Sequence, residues 1–542
     1  MNRPISGWHR LSAIIAASAL LPAAGCGGGA GDRSGSGRPA KAGTGEIAKV
    51  TWGLDGAPRS LDPAHGYDGK SALVYEQVYD SLLYLDASGR IVPGLATSWS
   101  RPDPLTYVYK LRTDARFWDG RPVTAEDAAF SLARHADRKV ASEFATYFGA
   151  VSSVKATDSA TVTVKLSRPD PFFRYIPALA GQVVQKAFAT AHPKDLGTPQ
   201  AGTMGSGPYK VESFSAATGA TLVRNPSWWG PRAAVRKLEF KVVSDPETLR
   251  LAVRSGAVDG TFLSDPSQSR RWRDGGTVAV RWVPSPQTVY LSFDMATPPF
   301  DDVHVRRAVA LSVDRHGLAR ALFGGHARVA RSITPPESWG DLAAADQVRS
   351  LYAGLPEPAF DLAKAKAELA SSRHPQGFQV TVPYPASMKW LGDVLQSLQQ
   401  NLKPLGIALT PKQVPFQEYL GNLYSHQKLG LQLVPYTPEY PDPAGIPSLV
   451  LGTEQIKNGF NTSGFSTPEV ETLLAQQRAA KRPDPVAGLR RIDAILADQQ
   501  PYAPLFYTDS GLALNRRLVL DGDHSVWLNF SQQWATRLKP AA

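Results

Sequence analysis

Hydrophobic and polar positions alternate with a period of two in three early stretches: Val50-Trp52-Leu54, Leu105-Tyr107-Tyr109-Leu111 and Val162-Val164-Leu166. That period places every second side chain on one face and predicts half-buried strands. Asp119-Gly120 supplies a turn, and Thr124 with Asp127 three residues on forms a capping box for a helix through Ala133. Beyond about residue 290 the period lengthens. Val303 to Leu322 reads as one helix behind the acidic start Asp301-Asp302. Strand Phe378 to Val382 leads into helix Met388 to Leu402, whose Leu391, Val394, Leu395, Leu398 and Leu402 form one stripe; Gly406 stops it, and Ile407 to Leu409 begins another strand. This is a strand-helix-strand unit with a right-handed crossover expected. Thr467-Pro468 and Asp484-Pro485 each open a further helix, and Leu505 to Leu514 returns to a strand. The fold class is therefore α/β.

At 542 residues the chain exceeds one ordinary core and predicts two or three domains. A formal net charge of +11 raises the question of nucleic acid, but no block of like charges gathers the basic residues, so no nucleic-acid partner is expected. The single cysteine excludes an internal disulfide. Its place is informative. Arg3 and Arg10 precede the apolar run Leu11 to Ala24, and Cys26 follows in Leu-Pro-Ala-Ala-Gly-Cys. Fourteen apolar and small residues fall short of the roughly 20 that cross a bilayer, so the segment reads as a signal peptide over residues 1–25. It resembles a bacterial lipoprotein signal, which implies Cys26 as the lipid anchor. Residues 26–46, rich in Gly, Ser and Ala, read as a flexible tether. The folded part is then expected on the extracytoplasmic face of a bacterial cell membrane.

Tyr436 to Pro443, Tyr-Thr-Pro-Glu-Tyr-Pro-Asp-Pro, places aromatic rings and the Glu439 carboxylate on a segment stiffened by three prolines. Proline fixes φ and removes a donor, so this is neither helix interior nor central strand, and its side chains are held in place. It reads as the floor of a ligand site, or as a plug at a chain crossing with Glu439 solvated. No His-Glu-x-x-His or Gly-x-Ser-x-Gly motif is present, His65, His304 and His326 are not at close metal-ligand spacing, and no cofactor is called for.

Several stretches in one order carry a family resemblance: Ser60 to Tyr67 (Ser-Leu-Asp-Pro-Ala-His-Gly-Tyr), Val92 to Trp99, Phe117 to Asp127 with Phe130-Ser-Leu132, Gly205 to Tyr209, Pro299 to Arg306, and Phe465 to Val470. Together they resemble the solute-binding proteins of peptide ABC importers, over roughly residues 47 to 515. The resemblance implies a two-lobed fold of the periplasmic-binding-protein type (type II), with an extra subdomain in the first lobe and closure on a ligand. By that analogy the first lobe holds residues 47–292 and 503–542, with the inserted subdomain about 75–200; the second holds 293–502; hinges fall near Phe293 and Pro504. In relatives an aspartate on the loop matching Tyr436 to Pro443 pairs with the peptide α-ammonium, and an aromatic three residues earlier walls the pocket. Carried over, these are Glu439 and Tyr436, with Phe416, Tyr507, His65 and Tyr67 also implied as ligand-binding. Glutamate here is one methylene longer than the family's aspartate. Dipeptide-binding relatives carry an arginine before a Pro-Tyr where this chain reads Val382-Pro383-Tyr384. The implied role is capture of oligopeptides by a monomer, without turnover, for delivery to a membrane permease; a non-peptide ligand such as an opine, oligosaccharide or metal chelate is the alternative.

Overall fold

The computed structural model describes residues 41–272, 276–426, 429–479, 484–522 and 533–542. The expected signal peptide, Cys26 and most of the expected tether lie outside them. At the tether's end, Gly43 N donates to Pro540 O (2.7 Å) and Ala542 N to Lys41 O (2.9 Å), so residues 41–43 pair with the end of the chain.

A mixed sheet of nine strands runs, among the described residues, in the spatial order Leu431–Tyr436, Val278–Phe293, Tyr502–Asn515, Gly260–Leu263, Ile47–Leu54, Val235–Val242, Gly219–Arg224 and Tyr209–Ser215, with Ala327–Val329 added to Tyr502–Asn515. The two long strands, Val278–Phe293 and Tyr502–Asn515, are antiparallel partners, with their register shifting between Pro284 and Thr288 and again between Val289 and Tyr290. Their paired halves serve different cores. Leu512 and Leu514 pack with Val50, Trp52 and Trp534, whereas Val289, Leu291, Leu505 and Phe506 pack with the helices after residue 300. A third core, Leu82 to Val183, lies on a separate four-stranded sheet of the strands Ala96–Asp103, Thr106–Leu111, Thr161–Leu166 and Val151–Asp158. This is the two-lobed α/β fold with an extra subdomain.

The local rules explain most element ends. Thr124 and Asp127 close a complete capping box at helix Ala125–Ala136. Strands Gln379–Pro385 and Ala408–Val414 pair in parallel around helix Lys389–Leu402, and Gly406, at φ 77°, takes the left-handed conformation that ends the turn after it. One expectation fails: Val303 to Leu322 is two helices, Val303–Leu311 and Arg315–Phe323. Asp314 caps the second by accepting from Gly317 N (2.8 Å), and the Arg315 guanidinium binds the carbonyls of Ala310 and Val313 that the break frees. Among the described residues no helix is long and apolar enough to cross a membrane.

Candidate functional site

Strand Leu431–Tyr436 delivers Tyr436 to the start of the proline-rich loop, and the chain turns so that Glu439 folds back beside it. The Tyr436 hydroxyl donates to Glu439 Oε2 at 3.0 Å. From the other side, the Tyr67 hydroxyl donates to Glu439 Oε1 at 3.2 Å. Tyr147, on the 3-10 turn Ala145–Phe148, places its hydroxyl 2.8 Å from that of Tyr67 and close enough to Glu439 to act on its charge. Three phenols thus surround one half-buried carboxyl.

Burial pushes the Glu439 carboxyl above its ordinary range, and the hydrogen bonds from Tyr436, Tyr67 and Tyr147 pull part of the way back. None of its described neighbours is a cation. The site therefore has a carboxylate whose oxygens meet only neutral donors, which suits a ligand that brings its own positive charge.

Tyr67 is held by the turn before it. Asp62 accepts from Ala64 N (3.0 Å) and takes a two-pronged contact from Arg134 (2.9 and 2.7 Å). His65 spans Asp62 (3.1 Å) and Val140 O (2.8 Å), a positioning role in which its ring is spent on protein partners. At Gly66 a Cβ would come within 2.9 Å of the Tyr75 ring, so only glycine lets the chain pass. Glu143 then accepts from Tyr67 N (2.8 Å) and from Arg59 (3.1 Å).

The structure brings Glu439, Tyr436 and Tyr67 into one cluster, with His65 supporting it from behind. Phe416 stands 39% exposed at the start of helix Phe416–Ser425, and among the described residues it makes no ring contact with the cluster. Two turns on, Tyr424 from the same helix packs edge-on to Phe460 (5.2 Å), which in turn meets Tyr436 (5.7 Å). Tyr507 lies elsewhere. Its buried hydroxyl donates to Ser332 O (2.7 Å) and accepts from Ser332 N (3.0 Å), fixing the segment after the edge strand Ala327–Val329. Tyr147, Glu143 and Tyr424 were missed by sequence reasoning, since none sits in a motif or at a telling period. Val382 is fully buried in its strand, and Tyr384 covers Gly392. Among the described residues no three His, Cys, Asp or Glu side chains converge to hold a metal.

The rest of the proline-rich loop binds the subdomain. Tyr440 enters the core of residues 82–183, stacking on Tyr175 (5.4 Å, 4°) and Phe172 (5.2 Å, 29°). Arg174 of that subdomain reaches Asp341 at 2.8 Å.

The probable D,D-dipeptide-binding periplasmic protein DdpA of Escherichia coli K12 is 25% identical over 484 residues, covering 85% of this chain and 89% of that protein. Among solved structures, Helicobacter pylori DppA in complex with peptide STSA superposes with a TM-score of 0.74 at 21% identity, covering 91% of this chain and 98% of that one. AgaA of A.tumefacien R10, in complex with agropinic acid, gives 0.73 at 20% identity, covering 91% and 99%. The profile described as bacterial extracellular solute-binding proteins, family 5 Middle, matches residues 90–458, which include the four-stranded sheet, helix Lys389–Leu402 and the Glu439 loop. By that match, the chain belongs to the bacterial extracellular solute-binding proteins of family 5.

Proposed function

We propose that this protein captures oligopeptides between its two lobes, outside the cytoplasmic membrane, and hands them to the permease of an ABC importer. The observation that carries the reading is the Glu439 carboxyl, ringed by phenols from two parts of the chain 372 residues apart and facing no cation. A peptide α-ammonium supplies the missing charge, and strand-like pairing satisfies the peptide backbone. The relatives named for dipeptide and peptide binding support this ligand class.

On this reading residues 47–292 and 503–542 form the first lobe and 293–502 the second, with hinges near Phe293 and Pro504. Cys26 carries a diacylglycerol after removal of residues 1–25, and the protein acts as a lipid-anchored monomer without turnover. The absence of an arginine at Val382 favours ligands longer than a dipeptide, because nothing at that position fixes the carboxylate at dipeptide length.

Calorimetric titration with a tetrapeptide and its N-acetylated form tests the assignment. The free peptide should bind at least about tenfold more tightly, and Glu439→Gln should erase the difference, since a buried charged hydrogen bond of this kind is worth roughly 1.5–3 kcal/mol. Equal affinity for both forms would remove Glu439 from ammonium recognition. Native mass spectrometry of the ligand carried through purification separates a peptide from an opine such as the agropinic acid bound by AgaA.

A further inference from the structure

The basic residues are scattered along the sequence, but the fold gathers several of them at one end of the nine-stranded sheet. Backbone hydrogen bonds knit the segments together there: Ala542 N donates to Lys41 O (2.9 Å), Ala541 N to Arg517 O (2.8 Å), Arg516 N to Thr277 O (2.7 Å) and Ile47 N to Ala234 O (2.9 Å). Lys41, Arg232, Arg236, Arg516 and Arg517 are exposed on this end, and Lys539 is half-buried. Carboxylates are outnumbered among the described residues. Glu46 alone meets Arg224 (2.7 Å), Arg232 (2.6 Å) and Arg236 (3.9 Å), and Asp259 meets Arg517 (2.8 Å). Asp521 adds one more acid, beside Arg537.

An excess of one charge repels itself and attracts an anionic surface; it also opposes a second copy of the same face. Chain length points to which surface. Residues 26–40 separate Cys26 from Lys41, and a chain of that length reaches at most roughly 50 Å when fully extended. On the lipid-anchored reading given above, on which this step rests, the end bearing Lys41 stays near the bilayer. Anionic headgroups attract basic side chains there within a Debye length, about 8 Å at physiological salt.

We propose that this end of the sheet docks on anionic phospholipid headgroups and holds the anchored protein against the membrane while it captures ligand. The Glu439 loop is kept clear of the surface. Strand Val278–Phe293 starts at the basic end, where Val278 pairs with Asn515, and runs to Thr288, which pairs with Tyr436. At about 3.3 Å per residue, the start of the loop stands roughly 30 Å along the sheet from the docked end.

Co-sedimentation with lipid vesicles tests the docking, using the full chain with Cys26→Ser so that no attached lipid contributes. Vesicles one-third phosphatidylglycerol should bind at least about tenfold more protein than pure phosphatidylcholine, and high salt should close the gap. Insertion of the apolar run Leu11 to Ala24 appears on neutral vesicles too and is shared by every variant. Lys41→Gln with Arg232→Gln and Arg236→Gln should weaken the phosphatidylglycerol-dependent binding about tenfold or more. Lys110→Gln with Lys155→Gln and Lys165→Gln removes the same charge from exposed positions on the four-stranded sheet and should leave that binding nearly unchanged. Circular dichroism checks that both triple variants are folded. Equal binding to both vesicles, no loss in the first variant, or equal loss in the two overturns the proposal. So does a dimer, seen by sedimentation equilibrium, that only the first variant disrupts, since the surface would then serve a second copy of the chain. The mass of the protein released from its own membrane reads the Cys26 lipid separately, so the anchor and the docking surface fail independently.

Discussion

Glu439 is balanced between burial, which favours its neutral form, and phenolic donors, which favour its charge. Because its carboxyl sits above the ordinary range, a cationic ligand meets an ionised acid only above that raised value. Affinity should then fall as pH drops through it. Removing a donor tips the balance further towards the neutral form, so Tyr147→Phe should move the loss of affinity to higher pH while leaving affinity at pH 8.5 nearly unchanged. Titration calorimetry with a free tetrapeptide from pH 5 to 8.5 reads the midpoint; an unmoved midpoint would show that Tyr147 does not act on the carboxyl. Tyr436→Phe should shift it in the same direction, with Tyr436 donating at 3.0 Å to the opposite oxygen.

The turn from Asp62 to Asp68 shows how a short element carries a site it does not contact through most of its residues. Burial would raise the Asp62 carboxyl, but the hydrogen bonds from His65 and Arg134 outweigh it and hold it well below the usual range. Its stabilising contribution is present above the ordinary Asp value and lost as pH falls through the depressed one. His65 is raised, chiefly by Asp62, so its contribution is complete below about pH 6.5 and disappears as pH rises through the raised value. Both act together in mildly acid solution. His65→Gln should therefore lower the unfolding temperature more at pH 5.5 than at pH 9, and an equal loss at both would remove the coupling. The sequence made part of this legible. Ser60 to Tyr67 stood out as a motif, and Tyr436 with Glu439 stood out as aromatics and an acid on a stiff loop, because proline and glycine leave local marks. Tyr147 left none: it lies on an irregular turn, and only the long-range fold brings it to Tyr67. The break at Ser312 to Asp314 was hidden for a related reason, since the apolar period continues across it and the cap is a single aspartate. Tyr507 sits in a strand the pattern did predict, but what its hydroxyl meets depends on the segment 332–334, distant in sequence.

At the scale of the molecule, the proline-rich loop links two cores as well as holding Glu439. Tyr440, in the second lobe as proposed here, is 9% exposed because it lies between Tyr175 and Phe172 of the subdomain, and Arg174 to Asp341 spans the same gap. The Glu439 cluster joins the same two parts, through Tyr67 and Tyr147 on one side and Tyr436 on the other. Closure and ligand contact are therefore coupled in one loop: whatever withdraws Tyr440 also draws Glu439 away from Tyr67. Two aromatic pairs of about 0.5–1.5 kcal/mol each would bias the closed arrangement by roughly 1–3 kcal/mol, a factor of about 5–150 in the equilibrium. Tyr440→Ala removes the pairs and leaves the backbone of the loop and the three tyrosine hydroxyls in place. If the closed form is the one that binds, apparent affinity for a tetrapeptide should weaken by up to that factor, because only the closed fraction is competent. Small-angle scattering gives the independent readout, with the variant more expanded than wild type without ligand and equally compact at saturation. Circular dichroism confirms that both forms are folded. A variant with weakened affinity but unchanged scattering would place Tyr440 in ligand contact instead of closure, and one unchanged in both would remove Tyr440 from both.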